Sequence, residues 1–407
     1  MNQGCLLALV VVGVVLIASD RSLPAAEIMP ASRQHPCSPE IDIASLLPGS
    51  AHEDPDVARA NAEIDKEEAF AMHELENLPP SDFYRQTTLL GKLELFDKNL
   101  SVKNNLACTS CHLPSTGFTG AVSLWNQTII AQPGSTAITN AEAPGPNYRI
   151  SARKPQSYTY MAFAPILHYN AAQKDFYGGN FWDLRATGTH LGNPAAEQAQ
   201  GPPVNPLEMG FSDSACFVYR VFTSKYASLF KKVWGAESCS IKWPSSVAST
   251  CNTPSTGSGH PTVDLRPADR LVATAAFDRM AISIAQEESS PEESAFTSKF
   301  DYVLAGKAKL TPKELEGWRL FDGQAKCNQC HLDGLATRQR DRQTGGSSDA
   351  VQFSGFNPSD VAPLFTDFTA NNTGIPKNYA LPYFCENNPT AQGIQPIQPE
   401  LTTFTRV

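Results

Sequence analysis

The chain has 407 residues, 41% of them hydrophobic and 18% charged, with a formal net charge of −9. That length suits two or three domains with sizeable cores, and an acidic balance without a long basic run argues against a nucleic-acid partner. The 31 prolines and 26 glycines describe a loop-rich chain.

Leu6–Ala18 is an unbroken apolar run, too short to span a bilayer and suited to the core of a signal peptide. Small residues follow, and cleavage is expected near Ala25 or Ala26, although no Lys or Arg precedes the run. Residues 1–26 are therefore read as a signal peptide, with an uncleaved anchor as the alternative. No later stretch looks transmembrane, so no stable membrane insertion is expected after processing. The expected location is the periplasm, if the host is a Gram-negative bacterium.

Residues 27–85 form an extended Pro/Ser/His-rich arm and then a helix, Val57–Leu75, with apolar residues near helical spacing at Val57, Ala60, Ile64, Ala71 and Leu75. Pro79-Pro80 ends it. Leu89–Asp97 is a short helix leading to Cys108-Thr109-Ser110-Cys111-His112. From Leu113 to Arg153 the chain is Gly/Pro/Asn-rich and reads as a long loop. A short helical piece, Ala195–Ala199, sits among turn residues, and Ala215–Val233 reads as one helix. Cys239–His260 is a Ser/Thr/Pro/Gly-rich insertion, a linker or surface excursion. Pro267–Glu288 is strongly helical, with Leu271, Val272, Ala275, Ala276, Met280 and Ile284 as its apolar positions. Thr311-Pro312-Lys313-Glu314 is a capping box with Pro at the first helical position. It opens a helix through Leu315, Trp318 and Phe321 that stops at Gly323, ahead of Cys327-Asn328-Gln329-Cys330-His331. Strand signals are sparse, so the fold class is mainly α.

Both five-residue motifs read Cys-x-x-Cys-His, and a Leu follows each. Two thiols three positions apart suit thioether bonds to the two vinyl groups of one porphyrin, and the adjacent imidazole suits the iron. One copy alone could be a zinc half-site. Two copies, each preceded by a Gly-containing helix ending in Leu/Phe, argue for two versions of one module. The expected cofactors are two covalently bound c-type haems, held by Cys108, Cys111, Cys327 and Cys330, with His112 and His331 as iron ligands. Cys5 lies in the leader. Cys37, Cys216, Cys239, Cys251 and Cys385 remain, an odd number suited to an oxidising compartment. Cys239 and Cys251 flank the insertion and are a candidate disulfide, although spacing alone does not fix the pairing.

The sixth coordination position separates a carrier from a catalyst. The last methionine, Met280, precedes the second motif, so no Met ligand follows His331. No histidine occurs between Leu113 and Leu167, and His168 and His190 read as structural or surface residues. Taken alone, Trp182 is a core aromatic, Glu208 a turn cap and Gln198 a surface helix residue.

In order along the chain stand Leu90-Gly91-Lys92 with Leu95-Phe96-Asp97, the first motif, and Gly179-Asn180-Phe181-Trp182-Asp183-Leu184-Arg185-Ala186. Glu197-Gln198-Ala199-Gln200-Gly201-Pro202 and Asn205-Pro206-Leu207-Glu208-Met209-Gly210 follow, then the second motif and Pro363-Leu364-Phe365-Thr366-Asp367-Phe368. With these blocks the chain resembles the bacterial di-haem cytochrome c peroxidase family, which includes the MauG-type tryptophan-modifying enzymes, from about Leu89 to Pro376. The resemblance implies two cytochrome c-like haem domains with long connecting loops: a peroxidatic one over 86–260 and an electron-transfer one over 261–407. It makes the His112 haem peroxidatic and the His331 haem its electron-supplying or charge-sharing partner. Trp182 matches the tryptophan between the haems. Gln198 and Glu208 match the polar residues of the peroxide pocket. Peroxide heterolysis needs a proton moved from one oxygen to the other, a task for a carboxylate, so Glu208 is assigned proton transfer and Gln198 positioning. The implied reaction is reduction of hydrogen peroxide to water with electrons from a small cytochrome c or cupredoxin. Alternatives are a MauG-like oxidation of residues on a partner protein, or a non-enzymatic di-haem electron carrier. Members of the family often dimerise, so a homodimer belongs to the expectation.

Three departures stand out. The loop after the first motif lacks the family's distal histidine, which predicts a first haem open without reductive activation, as in the MauG branch. The carboxy-terminal segment that supplies a Met or Tyr to the second haem is missing before Val407. Tyr379 and Tyr383 lie upstream of it; a truncated chain is the favoured explanation, and a differently ligated second haem is the alternative. Where the family's calcium-binding Asn is expected the chain reads Arg153-Lys154-Pro155, which leaves calcium doubtful and without a named ligand.

Overall fold

Helix Phe83–Phe96 is buried along almost its whole length, from Gln86 to Phe96. A helix enclosed on all sides must have partners on all sides. It lies against Pro55–Glu76 and against the 22-residue helix Pro267–Glu288. The computed structural model describes residues 55–79, 81–120, 155–171, 174–205, 208–255, 261–331, 364–366 and 368–370. The expected leader, most of the arm, most of the 113–153 loop, Lys154, Tyr379, Tyr383, Cys5, Cys37 and Cys385 lie outside the described residues.

Asp82 starts Phe83–Phe96 by accepting the Arg85 N–H at 3.0 Å, an N-cap that satisfies one of the free amides of the first turn. Gly91 sits where this helix meets Pro267–Glu288. A Cβ there would lie 2.0 Å from the Ser283 carbonyl oxygen. The buried stripe of Pro267–Glu288 runs through Ala273, Ala276, Phe277, Met280, Ala281 and Ile284. Leu271 is 73% exposed and Ala275 is also exposed, so these two expected core positions face away from the core. The partners of this helix all precede residue 240 and include Pro194–Ala199, Ser214–Thr223 and Ala236–Cys239. One hydrophobic core therefore runs across the domain boundary expected between 260 and 261.

The stretch expected as one helix from Ala215 to Val233 is two, Ser214–Thr223 and Ala227–Trp234. Ser224 turns extended and its Oγ accepts the Tyr226 N–H at 3.2 Å, a side-chain bond that competes with the helical ladder. Tyr226 is buried and donates its hydroxyl to Asp97 at 2.9 Å.

The disulfide is Cys216–Cys251, not Cys239–Cys251. Within the insertion Val247–Cys251 is helical, with Val247 and Cys251 buried, so this part is stapled to Ser214–Thr223 rather than acting as a linker. Cys239 keeps a free thiol.

Helices Lys299–Leu304 and Pro312–Asp322 lead to the second motif, each opened by a capping box, at Ser298/Asp301 and Thr311/Glu314. Phe300 packs edge-on against Trp318 and at a tilt against Phe365, which also meets Phe321. The named strands among the described residues are His168–Asn170 and Asp175–Tyr177, antiparallel with Tyr169 opposite Phe176. Residues 368–370 extend this ribbon: Gly178 N–H donates to the Phe368 carbonyl at 2.8 Å and Ala370 N–H to the Phe176 carbonyl at 2.9 Å. The architecture is mainly α, as expected. No described helix is long and apolar enough to cross a membrane.

Candidate functional site

Cys108–Cys111 is a single helical turn. Thiols at i and i+3 of such a turn lie on one side of it. The turn is tied down at both ends. Ser110 Oγ accepts the Ala107 N–H at 3.1 Å, and Thr109 donates its hydroxyl to the Leu95 carbonyl of the core helix at 3.2 Å. His112 follows with its Nδ1 2.9 Å from the Phe118 carbonyl oxygen. A proton on Nδ1 leaves the lone pair on Nε2, the arrangement by which an outer acceptor orients a ligating imidazole. Phe118 reaches that place through a left-handed backbone, φ +58°. Tyr158 packs at a tilt against both rings, its centroid 5.3 Å from that of His112 and 4.9 Å from that of Phe118.

Cys108, Cys111 and His112 share one cavity with Gln198, Glu208 and Met209, residues far apart in sequence. Gln198 is placed by Pro194–Ala199, whose Asn193 cap accepts the Ala195 N–H at 2.7 Å. The preceding Glu197 accepts the N–H groups of Gly188, His190 and Leu191 at 2.7, 2.5 and 3.1 Å. That pins the short helix to the 187–191 loop and fixes where Gln198 stands. Glu208 is set by a tight turn in which its own N–H and that of Gly210 both donate to the Asn205 carbonyl at 3.0 Å. The Asn205 side chain donates to Glu208 Oε1 at 2.7 Å. Burial pushes the Glu208 carboxyl up to about 7, against the nearby Arg185 charge and the Asn205 hydrogen bond.

These donors fit a c-type haem. The two thiols are unpaired with each other and held neutral: burial, with the Glu288 and Glu208 charges, raises Cys108 to about 12, and burial raises Cys111 as well. Burial lowers His112, against backbone hydrogen bonds at Phe118 and Gln156, and the neutral imidazole is the form that binds iron. Leu95, Ala199 and Ile284 give the cavity apolar walls.

Trp182 does not line this cavity. It is 63% exposed, on the loop closed by the Asn180–Ala186 bridge. Phe181 and Leu184 have positive φ, +67° and +59°, conformations that non-glycine residues adopt only when their surroundings impose them. Arg185 imposes part of this. Its guanidinium lies 3.5 Å from the Phe181 ring centroid and forms a salt bridge with buried Asp183 at 2.7 Å. Two residues before Asn180 the chain is bonded to Phe368, so the Trp182 loop adjoins the segment that serves the second motif.

At that motif Cys327–Gln329 forms a short 3-10 turn, and His331 places Nδ1 3.0 Å from the Phe365 carbonyl. Phe365 also has a left-handed φ, +53°. The two motifs thus orient their histidines by the same device, a carbonyl from a left-handed phenylalanine. His168 and His190 are exposed surface residues, the first hydrogen-bonded to the Ile166 carbonyl and the second 3.6 Å from the Asp278 carboxylate.

Tyr158 and Glu288 line the cavity although the sequence assigned neither a role, and Met209 entered only as part of a family block. Only Glu288 carried a signal. It follows Ala281, Ile284 and Ala285 at helical spacing, an acid continuing a core stripe.

Residues 85–309 match the family model described as di-haem cytochrome c peroxidase. The methylamine utilization protein MauG of Paracoccus denitrificans is 26% identical over 294 residues, which cover 71% of this chain and 57% of that protein. Cytochrome c551 peroxidase of Nitrosomonas europaea is 28% identical over 243 residues, 60% of this chain and 50% of that protein. The chain thus spans about half the length of these curated relatives. Among solved structures, the di-haem peroxidase BthA of Burkholderia thailandensis is 24% identical with a TM-score of 0.49, covering 78% of this chain and 62% of that one. With its two haem-attachment motifs and a family match over more than half its length, the chain belongs to the di-haem cytochrome c peroxidase family.

Proposed function

We propose that this protein reduces hydrogen peroxide to water at the His112 haem, with electrons arriving through the His331 haem from a small cytochrome c or cupredoxin. One observation carries the reading: Glu208 and Gln198 open into the same cavity as Cys108, Cys111 and His112. Bound there, a c-type haem supplies the electron transfer that takes peroxide, two electrons and two protons to two waters. The chain's own residues manage the protons. As a carboxylate, Glu208 would accept a proton from one peroxide oxygen and return it to the other. Its proton affinity near neutrality suits both directions. Gln198 holds the peroxide by its amide. Trp182 is assigned the passage of electrons between the modules, supported by the backbone bond between its neighbour Gly178 and Phe368. The Cys216–Cys251 disulfide fits an oxidising compartment, the periplasm.

A second reading, oxidation of residues on a partner protein, draws support from the lack of histidine between Leu113 and Leu167. Anaerobic titration of the haem-loaded protein with peroxide separates the two. Steady turnover with reduced cytochrome c supports peroxide reduction. Long retention of two oxidising equivalents with poor turnover supports the partner reading, and a protein inert to peroxide refutes both.

A further inference from the structure

A third carboxyl stands at the first haem cavity and has no part in the peroxide chemistry above. Glu288 closes the Pro267–Glu288 helix, is 2% exposed and lines the cavity with Cys108 and His112. Its Oε2 has no hydrogen-bond partner among the described residues. The turn after it is fixed: Ser294 donates its hydroxyl to the Glu288 carbonyl at 2.9 Å and accepts the Tyr160 N–H at 2.9 Å.

The charged surroundings are acidic from every side. Glu287 precedes it and Glu293 follows in the next turn, both buried. The Phe83–Phe96 helix contributes buried Glu94, with both carboxyl oxygens unpartnered, and Lys92, which is already paired with Glu292. Tyr158, Cys108 and Glu208 face it across the cavity. Burial and the neighbouring Glu287 charge raise the proton affinity of Glu288 well above the usual carboxylate range, so a carboxylate there readily takes up a proton.

We propose that Glu288 takes up a proton when the first haem takes up an electron, which makes the potential of that haem pH-dependent. An added electron is negative charge in a poorly screened cavity, and it repels a carboxylate there far more than it would in water. The balance is simple. One electron passes from a one-electron reductant, a reduced c-type cytochrome or an electrode mediator, to the haem. One proton passes from solvent to a Glu288 carboxylate oxygen, and no other bond changes. The charge of the site stays constant, and one of the protons that peroxide reduction consumes is already in place.

The inference rests on haem attachment at Cys108 and Cys111. Failure of that reading shows separately, as one haem instead of two in the pyridine haemochrome spectrum. With both haems present, spectroelectrochemical titration of the full chain across neutral and alkaline pH is the test. The wild-type first-haem potential is expected to fall as pH rises. Glu288→Gln should lose most of this fall and stay near the acid-limb value, and Glu208→Gln should keep a pH-dependent fall. A flat wild type, or a Glu288→Gln protein with the wild-type slope, overturns the proposal. If Glu288→Gln does not fold or load haem, redox-difference infrared spectra of Glu208→Gln decide. A protonated-carboxyl C=O band that changes on reduction and shifts in D2O supports the proposal, and its absence overturns it.

Discussion

Glu208 is the residue whose environment has the most direct kinetic consequence. Its carboxyl is raised to about 7, and the proposed role needs it ionised at the start of each cycle, so peroxide turnover should rise through that pH and level off above it. Glu208→Gln should remove this limb and lower turnover by about 10²–10⁴-fold, the usual contribution of a positioned proton-transfer group. Arg185 provides the control. Its positive charge draws the Glu208 value down, so Arg185→Gln should move the limb to higher pH while leaving a limb in place. An unchanged profile in both variants would remove Glu208 from the proton path. The sequence exposed this residue only through its neighbours in the family's block. Asn205 and Glu208 read as an ordinary turn until the fold set the turn against Cys108 and Cys111.

At the scale of elements, Gly91 is the tightest joint. Because a Cβ there would meet the Ser283 backbone rather than a yielding side chain, Gly91→Ala should cost about 1–3 kcal/mol in denaturant unfolding, the range for overpacking a filled interface. An unchanged midpoint would mean that the two helices separate easily. The Cys216–Cys251 bond spans 35 residues, and replacing both cysteines with serine should cost about 2–4 kcal/mol. Local rules worked where they were local. The Thr311 capping box, the Asn193 cap and the paired attachment motifs could be read directly, since each depends on residues within a turn of one another. The break at Ser224, the disulfide partner and the outward Leu271 depended on what packed against them, which no spacing encodes.

For the whole molecule, the buried acids set the response to pH. Glu94, Glu287, Glu288 and Glu293 are all raised by burial, Glu293 to about 8 from an ordinary 4.5. Between those values the folded chain holds more protons than the unfolded chain, so its stability falls as pH rises. Asp213 acts in the opposite sense. Despite burial, the Arg270 hydrogen bond lowers it, so its contribution is present at neutral pH and lost on acidification. Thermal unfolding followed against pH should therefore show a midpoint that declines from mildly acidic to mildly alkaline solution, and Glu293→Gln should flatten part of the decline. A midpoint rising over that range would contradict the burial of these acids. Pro267–Glu288 lies after the boundary expected at 260 and packs against elements that precede it, a relation that only the packing reveals.

Both histidines lean on main-chain oxygens, those of Phe118 and Phe365. No substitution can delete a peptide carbonyl, so the orientation this acceptor gives each imidazole is beyond the reach of ordinary side-chain evolution. Only the local backbone can change it. Proline at 118 or 365, locked near φ −65°, would swing the acceptor away, whereas glycine would tolerate the same left-handed turn. Two sites that share a main-chain support have more room to diverge through their opposite faces, and that is where side-chain variation within such a scaffold can act.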